Sequence, residues 1–275
     1  MKVLTIIGST KYGNTSEIIR YFKEQLKSLG SYEFEDIYLQ DIKIDFCTGC
    51  HNCIFIGEDK CPDYREVRII EDKISSADIL ILSTPGYMFS ITGIMKNFLD
   101  HVAYNCHRPK YFGKKIFFIS SCTKWQEKSV FTPMQTWGSA SGFRFVGKVY
   151  VDMLPLPLSE KEINKRRRKI EVAAISFNKT VKKEVCFKPD FGGVIVFHAF
   201  RTLCRLAPKI LKADYKYFIE RKAYEKATKW YVAAKVSPII HFLANLIEKR
   251  MEKAISKMVD TDKLNNSNGA FRNKL

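Results

Sequence analysis

Short apolar runs that end at turn residues alternate with amphipathic stretches through the first 150 residues of this 275-residue chain. Lys2-Val-Leu-Thr-Ile-Ile-Gly8 is one such run, and Asp78-Ile-Leu-Ile-Leu-Ser-Thr84 is another. Neither has a regular polar face, so each strand needs cover on both sides. That is the condition of a parallel sheet between helical layers. Residues 33–39, Lys115 to Ser121 and Phe145 to Val151 supply three further candidate strands. Between them, Thr15 to Leu29 sets Ile18, Ile19, Phe22 and Leu26 on one helical face. Residues 64–76, with Val67, Ile70 and Ile74 inward, 91–103 and 129–142 read as further helices. This alternation predicts an α/β domain over residues 1–152.

The pattern changes near residue 153, at the linker-like Met153-Leu-Pro-Leu-Pro-Leu158. Ser159 and Glu162 then form a capping-box signature for a basic helix to about Lys183, followed by helical segments to about Met258. Residues 153–259 therefore read as a basic helical extension, and 260–275 as a disordered polar tail. Charge divides in the same place. Residues 1–150 carry 19 basic and 16 acidic side chains, and residues 151–275 carry 27 and 13. Most of the formal +17 thus belongs to the second half, where three partners compete. The stripe Ile239, Phe242, Leu243, Leu246, Ile247, Met251, Ile255 and Met258 can dock on the α/β domain or a second subunit, the reading favoured because Glu248 and Glu252 dilute the charge. It can also lie on an anionic membrane. Arg166-Arg-Arg-Lys169 can attract nucleic acid, but no nucleic-acid-binding signature accompanies it. The N-terminus shows no targeting segment and no run approaches the ~18 apolar residues of a membrane span. A cytoplasmic location is the expectation.

The first strand ends at Gly8 and the first helix begins near Thr15. A hydroxyl-rich loop opening a helix is an anion seat, because unpaired backbone N–H groups and the helix dipole face the ligand. Ser9, Thr10, Asn14 and Thr15 add side-chain donors. The loop has neither the Walker A ending nor the Gly-x-Gly-x-x-Gly of a Rossmann dinucleotide site. Thr84-Pro-Gly-Tyr87 leaves the carboxyl end of another strand, where open α/β sheets place their ligands. Phosphate seat and aromatic-lined edge together suit a ligand with a planar ring. Trp125 and Trp137 can line a substrate pocket or pack in the core. His101 reads as a helix-surface residue.

Cys47, Cys50, Cys53 and Cys61 form C-x2-C-x2-C-x7-C, with Pro62 after the last. Three thiolates at such spacing can converge on a cubane iron–sulfur cluster, with a fourth ligand following. Structural zinc usually takes two separated C-x2-C pairs. A redox-active or merely packed thiol loop is the remaining alternative. His51, inside the loop, reads as a neighbour of the cysteines rather than a ligand. Cys106, Cys122, Cys186 and Cys204 are scattered and read as buried small hydrophobes.

Gly8-Ser-Thr-Lys-Tyr-Gly-Asn-Thr15 resembles the phosphate loop Gly-Ser-x-x-x-Gly-Asn-Thr of flavodoxin-like NAD(P)H-dependent FMN reductases. Pro85-Gly-Tyr87, followed by Lys96-Asn-Phe98 and Asp100, resembles that family's second flavin loop, with His101 where Arg is common. The cysteine segment is similar to the compact motif of iron–sulfur flavoproteins in the same superfamily. The resemblance covers about residues 1–150 and implies a flavodoxin-like, doubly wound, five-stranded parallel sheet of order 2-1-3-4-5. By it, Ser9, Thr10, Gly13, Asn14 and Thr15 hold the FMN phosphate, and Thr84, Pro85, Gly86 and Tyr87 lie along the isoalloxazine. Where the family often has a Gly-rich third loop, this chain has Ser120-Ser-Cys-Thr-Lys124. Cys47, Cys50, Cys53 and Cys61 would hold a [4Fe–4S] cluster. The implied activity is an NAD(P)H-dependent flavin oxidoreductase passing electrons to a quinone, another small molecule or a ferredoxin-like protein. A homo-oligomer is also implied. The alternatives are an electron carrier with a protein partner and little NAD(P)H turnover, and a binding module on an inactive scaffold.

Overall fold

A computed structural model describes residues 1–123, 125–184 and 188–260. Lys124, Cys186 and the tail from 261 lie outside it. In chain order the elements begin with β1 (Lys2–Ile7), α1 (Asn14–Leu29), β2 (Glu33–Tyr38), α2 (Asn52–Phe55), α3 (Tyr64–Ser76), β3 (Ile79–Tyr87) and β4 (Ser90–Ile91). They continue with α4 (Gly93–His101), β5 (Lys115–Cys122), α5 (Glu127–Ala140), β6 (Arg144–Asp152), α6 (Glu160–Val181), α7 (Phe191–Leu206), α8 (Lys212–Glu220) and α9 (Pro238–Met258). They form two compact units.

The first unit comprises Met1–Thr48 and Arg65–Glu184. Its parallel sheet runs β2-β1-β3-β5-β6, the expected 2-1-3-4-5 once the short β4 is set aside. β4 pairs antiparallel with the end of β3 (Gly86 with Ile91, Tyr87 with Ser90), a hairpin the apolar pattern did not reveal. Strand residues alternate between two cores, as the pleat requires. Leu4, Ile6, Leu80, Leu82, Ile116 and Phe118 pack with α3, α4 and α5 residues such as Ile70, Phe98 and Phe131. Val3, Ile7, Ile79, Ile81, Phe117 and Ile119 pack with Ile19 and Phe22 of α1 and Ile170, Ala174 and Phe177 of α6.

Helix α6 starts as its sequence dictates, with the Ser159 hydroxyl accepting from the Glu162 N–H at 3.4 Å. The basic composition suggested that the extension begins at 153, but the α/β unit continues through α6 to Glu184. Phe177 meets Phe22 and Phe117 edge-on at 5.5 and 5.2 Å. Arg166, read from sequence as part of a basic run that can attract nucleic acid, is buried and paired with Asp152 at 2.9 Å and with Glu162.

The second unit combines Gly49–Tyr64 with the described residues from Lys188 onward. Helix α2 packs on α8, and α7 on α9. Its core is aromatic: Phe197 meets Tyr231 at 4.8 Å, and Phe218 meets Tyr231 at 5.8 Å. Glu248 of α9 is buried against α7, where His198 Nδ1 lies 2.6 Å from its carboxylate. The Thr202 hydroxyl donates to it at 3.1 Å, and Arg201 forms an ion pair with it. A buried carboxylate survives only with partners of this kind. No helix among the described residues is long and apolar enough to cross a membrane.

Candidate active site

The carboxyl ends of β1, β3 and β5 meet in a chain of hydroxyl contacts. The Gly8 N–H donates to the Ser83 carbonyl at 2.8 Å. Thr92 donates its hydroxyl to the Gly8 carbonyl at 2.8 Å and caps α4 by accepting from the Met95 N–H. Thr84 and Thr92 share a bond of 3.1 Å, and Ser120 donates to the Thr84 carbonyl at 2.8 Å. These groups are buried, so the bonds fix the strand ends rather than compete with water. Gly8 is required here, because a Cβ on it would sit 2.9 Å from the Met95 Cβ.

From Gly8 the chain turns through an open loop into α1. Thr10, Lys11, Tyr12 and Asn14 are exposed. Gly13 is the N-cap residue and offers no side chain, so the first-turn N–H groups are left without a side-chain cap. The Ser16 hydroxyl donates to the Thr10 carbonyl at 2.7 Å and holds the loop's curvature. Thr15 is only 2% exposed, and its hydroxyl is engaged with Ser121 at 2.6 Å. Its backbone N–H remains in the open first turn, while its side chain ties α1 to the end of β5.

The second loop divides in the same way. Thr84 and Pro85 are buried, Gly86 is half-buried, and Tyr87 is exposed. A Cβ on Gly86 would lie 2.7 Å from Val130 Cγ2 and 2.8 Å from Cys122 Sγ, so packing against α5 and β5 demands the glycine. Met88 and Phe89 form the two-residue tip between β3 and β4, both with positive φ (49° and 56°). Residues other than Gly, Asn or Asp rarely occupy that region, so the tip holds strain. Across from it, Trp125 also has positive φ (70°) and is 92% exposed. Gln126 ties the two, accepting from the Phe89 N–H at 3.2 Å and donating to the Thr123 hydroxyl at 2.9 Å. Phe89, Trp125, Lys128 and Pro133 line an open cleft of about 450 Å³. The sequence left both tryptophans open between pocket and core. The structure separates them: Trp137 is buried, donating to the Val102 carbonyl at 3.1 Å, and Trp125 is at the cleft.

Two α4 residues fix the segment that leads into the cysteines. Asn97 Oδ1 accepts from the Cys47 N–H at 3.0 Å. Its Nδ2 donates to the carbonyls of Asp45 at 3.0 Å and Ile44 at 3.3 Å. His101 Nε2 lies 2.9 Å from the Asp45 carbonyl. His101 is therefore not a helix-surface residue as its sequence position suggested. It is buried, and it faces this segment. Asn97 and His101 sit four residues apart on one helical face, the signal that identifies the pair in hindsight.

Cys47 and Cys50 are exposed, Cys53 and Cys61 partly so, and none of the four is in a disulfide. Within the second unit, Gly49 (φ 66°), His51 (φ 59°) and Gly57 (φ 159°) provide turns around α2. The carbonyl of His51 accepts from the N–H groups of Ile54 and Phe55, both at 3.0 Å. Thiols are soft donors, suited to iron–sulfur or zinc chemistry. Cys122 and Cys204 are buried and Cys106 is half-buried, as expected of small hydrophobes.

Comparison with known proteins bears on the family and the fold. An iron-sulfur flavoprotein of Archaeoglobus fulgidus is 26% identical over 227 residues, 80% of this chain and 99% of that protein. A second from the same organism is 35% identical over 100 residues, 36% of this chain and 48% of that protein. An FMN-dependent NADPH-azoreductase of Staphylococcus aureus is 33% identical over 114 residues, 41% of this chain and 58% of that protein. Among solved structures, a flavone reductase superposes with a TM-score of 0.51 at 19% identity, over 66% of this chain and 64% of its own. That likeness bears on the fold alone. Residues 1–151 match the family described as NADPH-dependent FMN reductase. The chain belongs to that family, the NAD(P)H-dependent flavin oxidoreductases.

Proposed function

We propose that the chain takes electrons from NAD(P)H through FMN and delivers them singly, through a [4Fe–4S] cluster, to an acceptor. The observation that carries the flavin site is the pairing of an uncapped α1 N-terminus with an exposed aromatic hairpin at one sheet edge. The residues present fit FMN. The Ser9 to Asn14 loop and the N–H of Thr15 would hold its phosphate, while the Thr15 hydroxyl keeps α1 in place through Ser121. Gly86 and Tyr87 would lie along the ring. Thr84 and Pro85 act from behind, as the buried frame of that edge. Bound FMN supplies hydride acceptance and one- or two-electron release.

Cys47, Cys50, Cys53 and Cys61 are the proposed cluster ligands. Their spacing and the similarity to proteins named iron-sulfur flavoproteins support the assignment. Asn97 and His101 would contribute by holding the backbone that presents Cys47. The Phe89–Trp125 cleft supports a small planar acceptor, in line with the relative named as an azoreductase.

Anaerobic stopped-flow mixing of FMN-loaded protein with NADPH and with NADH tests the reading. Rapid bleaching of the flavin absorbance, then recovery on adding a quinone or azo compound, is expected. A flavin that binds but stays oxidised with both nucleotides would make the protein an electron carrier served by a protein partner.

A further inference from the structure

The apolar stripe seen in the sequence of α9 does not behave as one surface. Helix α9 packs on α7 through the face containing Ala244 and Glu248, both buried. Ile239, Phe242, Leu243 and Leu246 recur at i, i+3, i+4 and i+7 on the opposite face and remain exposed, Ile239 at 71% and Phe242 at 62%. Projected at 3.6 residues per turn, the same face continues into Arg250, Lys253 and Lys257, all exposed. No acidic residue occurs on it. The three cations have no hydrogen-bond or ion-pair partner among the described residues.

We propose that this face of α9 is a peripheral anchor that seats the protein on a bilayer containing anionic lipid. Two turns of apolar side chains would enter the interface between headgroups and acyl chains. Arg250, Lys253 and Lys257, with their long aliphatic stems, would pair with phosphate headgroups beside them. Charge complementarity selects this occupant, since the face carries Arg250, Lys253 and Lys257 and no acidic residue. A second copy of the chain fits less well. Four part-exposed apolar residues fall far short of the roughly 20–30 residues a side of a stable interface. The helix would lie on the membrane, because no helix among the described residues can cross it.

Co-sedimentation of the flavin-loaded full chain with vesicles tests the proposal. Vesicles of phosphatidylcholine alone are compared with vesicles containing equimolar phosphatidylglycerol, at low and high salt. Binding is expected only to the anionic vesicles and should weaken with salt. Near a charged surface each cation is worth about fivefold in affinity, so R250Q/K253Q/K257Q should lose on the order of 100-fold. F242S/L246S should lose at least about tenfold through its apolar contacts. Both variants are surface changes and should oxidise NADPH in solution at the wild-type rate. Equal pelleting with both vesicle types, or none with either, would overturn the proposal. So would a dimer that F242S/L246S converts to monomer with no loss of vesicle binding.

Discussion

Replacing Asn97 with Ala tests how the fold holds the start of the cysteine segment. The substitution removes one acceptor and two donor contacts, at 3.0, 3.0 and 3.3 Å, from a side chain that is almost fully buried. Each such bond contributes about 0.5–1.5 kcal/mol net, and the freed groups of Ile44, Asp45 and Cys47 belong to a chain segment that water can reach. The expected loss is therefore about 2 kcal/mol, at the low end for three bonds. Asn97→Asp keeps the acceptor for the Cys47 N–H but turns an anion toward two carbonyls, so it should cost at least as much as Ala. Urea unfolding of FMN-loaded protein reads the loss as a lower midpoint at unchanged slope. Iron content should fall while FMN content holds, because Asn97 touches the cysteine segment and not the phosphate loop. A cost under about 0.5 kcal/mol together with unchanged iron would refute the argument that Asn97 presents Cys47.

Other outcomes follow from the same geometry. Burial pushes the Glu248 carboxyl up, but hydrogen bonds from His198 and Arg201 outweigh it and hold it at about 2, below the ordinary 4.5. A depressed carboxylate contributes stability above its unfolded value that fades as pH falls through the folded one, here roughly 3 kcal/mol lost between pH 4.5 and 2. Melting curves of Glu248→Gln should show a large deficit at neutral pH that closes in acid; a deficit independent of pH would contradict the assignment. Burial alone pushes the Cys106 thiol up to about 11. Iodoacetamide near neutral pH should therefore label Cys47 and Cys50 in iron-free protein and leave Cys106, Cys122 and Cys204 intact, as peptide mass mapping will show. Gly86→Ala forces a methyl into Val130 and Cys122 and should cost about 1–3 kcal/mol with weakened FMN affinity. Wild-type FMN binding in that variant would free Gly86 from the flavin edge.

Much of the first unit was legible because its signals are local. A strand buried on both faces reads as an unbroken apolar run, and Ser159 announces α6 by a cap that depends on four consecutive residues. What escaped depends on contacts distant in sequence. Composition assigned α6 to the basic extension, yet Ile170, Ala174 and Phe177 recur at a spacing that buries one face against the sheet, while the basic residues other than Arg166 stay exposed. The β3–β4 hairpin was missed because its tip, Met88-Phe89, lacks the Gly or Asn that normally marks a two-residue turn with positive φ. The docking stripe of α9 mixed two faces: Ile247, Met251 and Ile255 are partly buried, and Ile239, Phe242 and Leu246 are not.

At the candidate site, the motifs pointed to chain segments and could not say which atoms of each face outward. Thr15 and Thr84 carry hydroxyls that a sequence reader assigns to a ligand. The fold uses both internally, Thr15 with Ser121 and Thr84 with Thr92. Asn97 was read only as part of the flavin-loop motif and His101 as a helix-surface residue, because their partners are backbone groups fifty or more residues away. Trp125 and Trp137, equivalent in sequence, separate only when α5 turns one toward Val102.

The central claim is that one chain carries both FMN and a four-cysteine iron–sulfur cluster. Anaerobic purification followed by measurement of FMN, iron and acid-labile sulfide on a single sample tests it directly. The account predicts about one FMN with about four irons and four sulfides per chain. FMN without iron and sulfide would contradict the cluster and return Cys47, Cys50, Cys53 and Cys61 to thiol chemistry.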